Sequence, residues 1–297
     1  MNGIISIYKE KGYTSHDVVA AARKILNYKK IGHTGTLDPE AEGVLPICIG
    51  KATKAVEFLM DFDKTYKAIV EFGTTTTTQD YTGEIISQKK VDFNEDKIKE
   101  AVFSFVGEYE QVPPMYSAIK INGKRLYQIA REGKTVERKA RKVYIHNIDI
   151  LAFLPPNQIE IEVSCSKGTY IRTLCEDIGN KLGFGAYMKD LIRTKVGIFE
   201  LENSIKLEEL KNQLNLGNID NIIIKIDKVF YNYNSIKIKY SGENLLKNGN
   251  KINLSYIDDP IKVLKAGNIV KVYSYKNEFI GLYKVEDNYL KPLKLFL

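Results

Sequence analysis

The stretch Gly32-His-Thr-Gly-Thr-Leu-Asp-Pro39-Glu-Ala-Glu-Gly43 constrains this chain more than any other. It sets three glycines, one of only three histidines and a carboxylate followed by proline within twelve residues, with apolar runs on either side. Glycine tolerates positive φ and close backbone approach; proline fixes φ and has no amide proton. Asp38 is therefore expected in a tightly specified turn rather than on a solvated helix face. A carboxylate held that firmly beside a histidine is a candidate for chemistry. By itself the stretch is compatible with hydrolysis, metal binding or a structural turn.

The 297 residues suffice for one large domain, or a large and a small one. A hydrophobic content of 44% and a charged content of 27% are those of a soluble globular chain. No apolar run approaches the roughly 18 residues of a membrane helix. Residues 1–10 hold a short apolar run without a basic leader or a cleavage site, so no signal peptide is expected. Cys48, Cys165 and Cys175 are odd in number and lack C-x-x-C spacing. That argues against a disulfide framework and a zinc cluster, and fits a reducing cytoplasm.

The formal net charge is +7. Residues 120–142 carry nine basic side chains against Glu132 and Glu137, which equals the whole excess, so the remainder is formally neutral. A basic segment this concentrated is the footprint of phosphate contacts, or else a solvated lysine-rich face.

Apolar spacing predicts a helix over 14–30, capped by Thr14 or Ser15, which runs directly into the glycine-rich turn. Residues 66–73 read as a strand, followed by Thr74–Thr78 and a turn over Asp80–Gly83. Helices are expected over 94–106, 173–182 and 207–214. Pro113-Pro114 must be extended or turning. Period-two alternation predicts a half-buried strand over 159–165. Near 231–235 asparagine and tyrosine cluster, and short β-like runs follow at 236–240, 269–275, 279–285 and 290–296. A boundary is expected there, with a small β-rich domain behind it.

Five collinear blocks over residues 1–200 resemble the TruB-type tRNA pseudouridine synthases. They are Gly32–Pro39 with Ala41, Gly43 and Leu45-Pro46; Lys64-Thr-Tyr66; Pro113-Pro-x-x-Ser-Ala-x-Lys120 through Tyr127; Ser166-Lys-Gly-Thr-Tyr-Ile-Arg172; and Leu191-x-Arg193 with Val196-Gly197. The resemblance implies an α+β pseudouridine synthase fold. It implies a mixed, mainly antiparallel central sheet over 1–230, with 120–142 as an inserted RNA-clamping segment. It further implies a PUA-like RNA-binding β-barrel over 235–297. Glu42 and Ile31 depart from the usual motif, at positions to which no role is carried over.

The implied reaction breaks the N1–C1′ bond of uridine 55 in the tRNA T loop, turns the uracil, and joins C5 to C1′. No cofactor or metal is expected, in keeping with the lack of a P-loop, a Rossmann fingerprint or a metal cluster. Asp38 is the implied catalytic residue, as nucleophile at C1′ or as stabiliser of positive charge and proton acceptor. Arg172 would hold it ionised and oriented. Tyr66 and Tyr170 would handle the flipped nucleoside, Tyr66 stacking on the uracil and acting at the C5 proton. Leu191 would line the uracil pocket, and His33 would wedge into the T loop. Lys64, Lys120, Lys124, Arg125, Arg131 and Arg141 are expected as RNA backbone contacts, Lys64 and Lys120 alternatively as structural residues.

The expected partner is tRNA through its T arm, read largely by shape. A cytoplasmic monomer without an obligate protein partner is expected. A guide-RNA-dependent relative and a non-catalytic RNA-binding or RNA-folding protein remain as alternatives.

Overall fold

A computed structural model describes residues 1–121, 123–258 and 265–297. Asn122, inside the basic segment, and 259–264, inside the expected C-terminal domain, lie outside the described residues.

The first apolar run forms strand β1 (Gly3–Lys9). Thr14 caps helix α1 (Ser15–Leu26): its hydroxyl accepts from the Asp17 amide, and the Asp17 carboxylate accepts from the Thr14 amide. The helix stops short of the expected residue 30 because Asn27 enters the left-handed region, φ 46°. Strands β2 (Ile31–His33) and β3 (Glu42–Ile49) flank the glycine-rich turn. Short helix α2 (Val56–Met60) precedes β4 (Lys64–Phe72), whose alternate residues are buried. Strands β5 (Thr74–Thr76) and β6 (Ile85–Gln88) form a hairpin around the Asp80 turn. Helix α3 (Glu95–Phe103), capped by Asn94, leads to β7 (Gly107–Gln111).

The described residues of the basic segment hold regular structure. The segment contains a hairpin, β8 (Lys120–Ile121) with β9 (Lys124–Arg125), and helix α4 (Leu126–Arg131). Its last residues, Arg141 and Lys142, already belong to β10 (Arg141–Leu154). Strand β11 (Gln158–Cys165) realises the expected alternation. Helix α5 (Ile171–Lys181) begins two residues earlier than expected, which sets Arg172 in its first turn and not just past a strand. Strands β12 (Ala186–Val196) and β13 (Phe199–Glu200) and helix α6 (Leu207–Asn215) complete this part.

The strands form one mixed sheet in the order β1-β3-β12-β4-β11-β10-β7, with β2 on β3 and β13 on β12. Every pairing in it is antiparallel except β12–β3. Both faces of β1 and β3 are covered, so both read as continuous apolar runs. Ile5, Ile7, Leu45, Ile47 and Ile49 pack under α1 and α6, whereas Ile4, Val44 and Cys48 point the other way. Helices α3 and α5 bury a further core against β4, β10 and β11.

Beyond residue 233 a second sheet follows. Strands β14 (Asn234–Lys237), β15 (Ile252–Asn253), β16 (Ile269–Tyr273), β17 (Phe279–Val285) and β18 (Tyr289–Leu295) pair in the order β14-β16-β17-β18-β15. This sheet has a core of its own and also packs Leu282 and Phe296 against the Ile4–Val44 cluster. No helix among the described residues is long and apolar enough to cross a membrane.

Candidate active site

The glycine-rich turn is held from beneath by two buried cations. Lys9, fully buried at the end of β1, donates to the carbonyls of Pro39 (3.0 Å) and Ala41 (2.6 Å). Arg193 on β12 is 2% exposed and donates from Nε to Val44 O at 2.8 Å. Its Nη1 and Nη2 reach the Thr36 and Gly35 carbonyls at 3.5 and 3.4 Å. Ser15, at the start of α1, receives the Leu37 amide at 2.8 Å. Of the three glycines, Gly43 has the strictest reason. Its φ is +107°, and a Cβ there would lie 2.2 Å from Arg193 O.

These anchors present Asp38 at a cleft lined by Ala41, Asp80, Tyr81, Met188 and Leu191. The Asp38 side chain is 41% exposed, but its partner Arg172 is only 6% exposed. Arg172 grips the carboxylate with two nitrogens, Nε to Oδ2 at 3.0 Å and Nη2 to Oδ1 at 3.4 Å. The remaining guanidinium donors are spent on Thr78 O (3.1 Å) and Tyr116 O (2.9 Å), and Nη1 lies 3.6 Å from Asp80. Desolvation pushes the Asp38 carboxyl above the usual range, Arg172 pulls it back, and Asp80 pushes it up again. Asp80 is fixed in turn by Thr78 and Thr82, whose hydroxyls both donate to its Oδ1.

Tyr66 on β4 lies opposite Arg193 across the β4–β12 pairing and is buried. Burial holds its phenol protonated above the ordinary value, and the Arg193 guanidinium works against that. Tyr170 immediately precedes α5, with its phenol likewise pushed up by burial. Leu191 faces the cleft from β12. His33 sits apart from the carboxylate at the end of β2, where Nδ1 accepts the Gly35 amide at 3.4 Å. Burial, then His16 and Arg193, keep its imidazole below its usual pKa. Among the described residues no group of three or more His, Cys, Asp or Glu is placed to hold a metal ion.

The expected backbone contacts divide. Lys120, Lys124, Arg125, Arg131 and Arg141 are exposed. Arg125 and Arg131 both lie over the Tyr127 ring, and Lys124 pairs with Glu132 at 3.3 Å. Arg141 stands on the central sheet opposite Gln111 rather than in the hairpin. Lys64 departs from its expectation as an RNA contact: it is 7% exposed and donates to Met60 O and Phe62 O, the structural alternative. Its ammonium, desolvated and near Arg193, is drawn down to about 8. Sequence reasoning assigned no role to Lys9, Asp80 or Arg193. Arg193 sits within a quoted block and Asp80 within a quoted turn, but only the fold reveals what each one touches.

Two family models match consecutive parts of the chain. The "TruB family pseudouridylate synthase (N terminal domain)" covers residues 23–171, and the "tRNA pseudouridylate synthase B C-terminal domain" covers 172–229. Proteins named tRNA pseudouridine synthase B are 48% identical in Alkaliphilus oremlandii, spanning 99% of this chain and 97% of that one. In Clostridium tetani the identity is 46% over the whole of both chains, and in Staphylococcus aureus (strain MSSA476) it is 45% over 99% of both. Among solved structures, a Cbf5-Nop10-Gar1 complex superposes with a TM-score of 0.78 at 29% identity. An H/ACA RNP bound to a substrate RNA containing 2′-deoxyuridine gives 0.76 at 27%. Each covers 99% of this chain and 85% of that one.

Proposed function

This chain belongs to the TruB family of pseudouridine synthases and isomerises uridine to pseudouridine in tRNA; from that premise we propose that it acts on uridine 55 of the T loop with Asp38 as the catalytic group. The observation that carries this reading is the two-point grip of a buried Arg172 on a cleft-exposed Asp38. A guanidinium that stays charged keeps the carboxylate ionised and aimed, against the desolvation that would protonate it.

The target nucleoside leaves its stack and enters the cleft, its uracil bounded by Leu191 and Tyr66. Asp38 meets C1′ as the N1–C1′ bond breaks. The uracil turns, C5 bonds to C1′, the C5 proton leaves and N1 ends protonated, so atoms and electrons balance without a co-reactant. Tyr66 is assigned the C5 proton on the family resemblance; burial raises its phenol, and the neighbouring Arg193 offsets part of that rise. His33 wedges the T loop, and the exposed cations of β8, β9 and α4 take the phosphates. The C-terminal sheet adds RNA contacts as a PUA-like unit. Identities of 45–48% with proteins named tRNA pseudouridine synthase B, against 27–29% with chains of an H/ACA RNP and a Cbf5-Nop10-Gar1 complex, support tRNA as the substrate; the further reading is a cytoplasmic monomer that acts on bare tRNA.

The test is release of the C5 hydrogen from labelled tRNA by the purified chain. Wild type is expected to release it from a bare transcript. Asp38→Asn is expected to release none while binding tRNA within about tenfold of wild type, because the phosphate-binding cations are untouched. Turnover by Asp38→Asn sinks the assignment, and a requirement for added protein or guide RNA sinks the stand-alone reading.

A further inference from the structure

A buried glutamine beside the first turn of α5 has no part in the site described above. Gln111, the last residue of β7, is 1% exposed. Its Nε2 donates to Tyr170 O at 2.9 Å, and its Oε1 accepts the Tyr170 amide at 2.8 Å. Tyr170 is the residue from which α5 departs, and no side chain of its own caps the helix. One carboxamide therefore takes the Tyr170 amide and adds a second donor to Tyr170 O, which also accepts the Leu174 amide, at the point that sets the direction of the first turn, where Arg172 sits.

The chain beyond Gln111 returns to the same arginine. After the extended Pro113-Pro114, Tyr116 O accepts from Arg172 Nη2 at 2.9 Å. Directly after it, Ser117 O and Ile119 O receive the Tyr127 and Leu126 amides that open α4. Residues 111–119 thus form a strap, bound at one end to the start of α5 and at the other to the basic hairpin and helix. Tyr109, two residues earlier on the same face of β7, bonds Asp177 further along α5. The strand consequently fastens the helix twice, once along its body and once at its catalytic end.

We infer that Gln111 is a positioning residue for the isomerisation, fixing the first turn of α5 and with it the aim of Arg172 at Asp38 from the strand that leads into the basic segment. The inference rests on the reading of Asp38 and Arg172 given above. The strap joins the start of α5 to the hairpin and α4, which carry the proposed phosphate contacts.

The experiment compares single-turnover rate and tRNA affinity for Gln111→Leu, Gln111→Glu, Tyr109→Phe and Asp38→Asn, with thermal melts of each. Gln111→Leu keeps the shape but strands the Tyr170 amide and leaves Tyr170 O with the Leu174 amide alone. Its saturating rate is expected to fall by about 10²-fold, the scale of an ångström-sized misplacement. Its tRNA Kd should stay within about threefold, because every phosphate-binding cation remains in place. Gln111→Glu still accepts the Tyr170 amide but no longer donates, and its rate should fall by about tenfold. It serves as the test if the leucine variant does not fold. Tyr109→Phe removes the fastening along the helix body; its melting temperature should fall with its rate within about twofold of wild type.

In an Arg172→Lys background, Gln111→Leu should cost less than about threefold more, since the two residues act on one interaction. A wild-type rate in Gln111→Leu, or an equal rate loss in Tyr109→Phe, overturns the inference while Asp38→Asn stays inactive. An active Asp38→Asn overturns the underlying reading instead.

Discussion

Arg193 faces Tyr66 across the β12–β4 pairing, a fully buried guanidinium beside a buried phenol, with no carboxylate paired to it among the described residues. Burying an unpaired cation is costly, and here it is offset by three main-chain carbonyls from the catalytic turn and β3. The residue serves both halves of the site: it ties down the backbone that presents Asp38, and it biases the phenol proposed to take the C5 proton.

Arg193→Lys should lower the single-turnover rate at least about tenfold, because one ammonium cannot occupy the positions of a planar fork. It should also cost about 1–3 kcal/mol in urea unfolding, the range for leaving a buried carbonyl without its donor. A wild-type rate would remove Arg193 from the catalytic account and leave it a packing residue.

Gly43→Ala tests the close approach of β3 to β12. The added methyl would strike Arg193 O, at a φ that alanine avoids. A loss of about 2 kcal/mol or more is expected in urea unfolding, with activity lost alongside. An alanine variant as stable as wild type would mean that the two strands can separate at that point.

The division among the basic residues predicts distinct salt behaviour. Lys64→Met should leave the salt dependence of tRNA binding unchanged, since its ammonium is committed to Met60 and Phe62. Replacing Arg125 and Arg131 together by glutamine should flatten the slope of log K against log salt by about one to two, roughly one for each phosphate no longer neutralised. Titrations over a range of salt concentrations decide both points.

Burial raises the thiols of Cys48 and Cys165 from about 9 to about 12, and that of Cys175 moves up as well. The folded chain then keeps protons that the unfolded chain has released. Their stabilisation is complete below about pH 9 and is lost towards pH 12, at about 1.4 kcal/mol per thiol per pH unit. Lys9 and Lys64, drawn down by desolvation to about 8, act in the opposite sense up to their ordinary 10.5. Urea midpoints should therefore fall only modestly at first above pH 9 and steeply beyond about 10, where the phenols of Tyr187, Tyr273 and Tyr283, raised by burial to about 12, act in the same sense as the thiols. Cys48→Ala should lessen the steep part.

Much of the site is legible in the chain's own pattern. The Asp38 turn, Tyr66, Tyr170, Arg172 and Leu191 all fall in short blocks of chemically distinctive residues, and Thr14 and Asn94 announce their helices by capping chemistry. Local pattern is weaker for β1 and β3. Their apolar runs are buried on both faces and so show no alternation to distinguish strand from buried helix. Lys64 misleads for a related reason. A lysine in a basic chain reads as a surface cation unless the carbonyls that surround it are known.

The sequence by itself determined which residue types are proposed to meet the substrate and which segments must turn, because turn chemistry, caps and block spacing act over a few residues. Tertiary structure alone decided how the carboxylate is held. Lys9, Asp80, Gln111 and Arg193 come from four separate strands and turns, and their work is done on main-chain atoms and charges distant in the chain. Hydrogen bonds to backbone carbonyls need only a donor of the right reach, so nothing in the local sequence marks them. Only the sheet order, with β3 parallel to β12 and β7 leading into the strap, brings these side chains together around a single turn and its arginine.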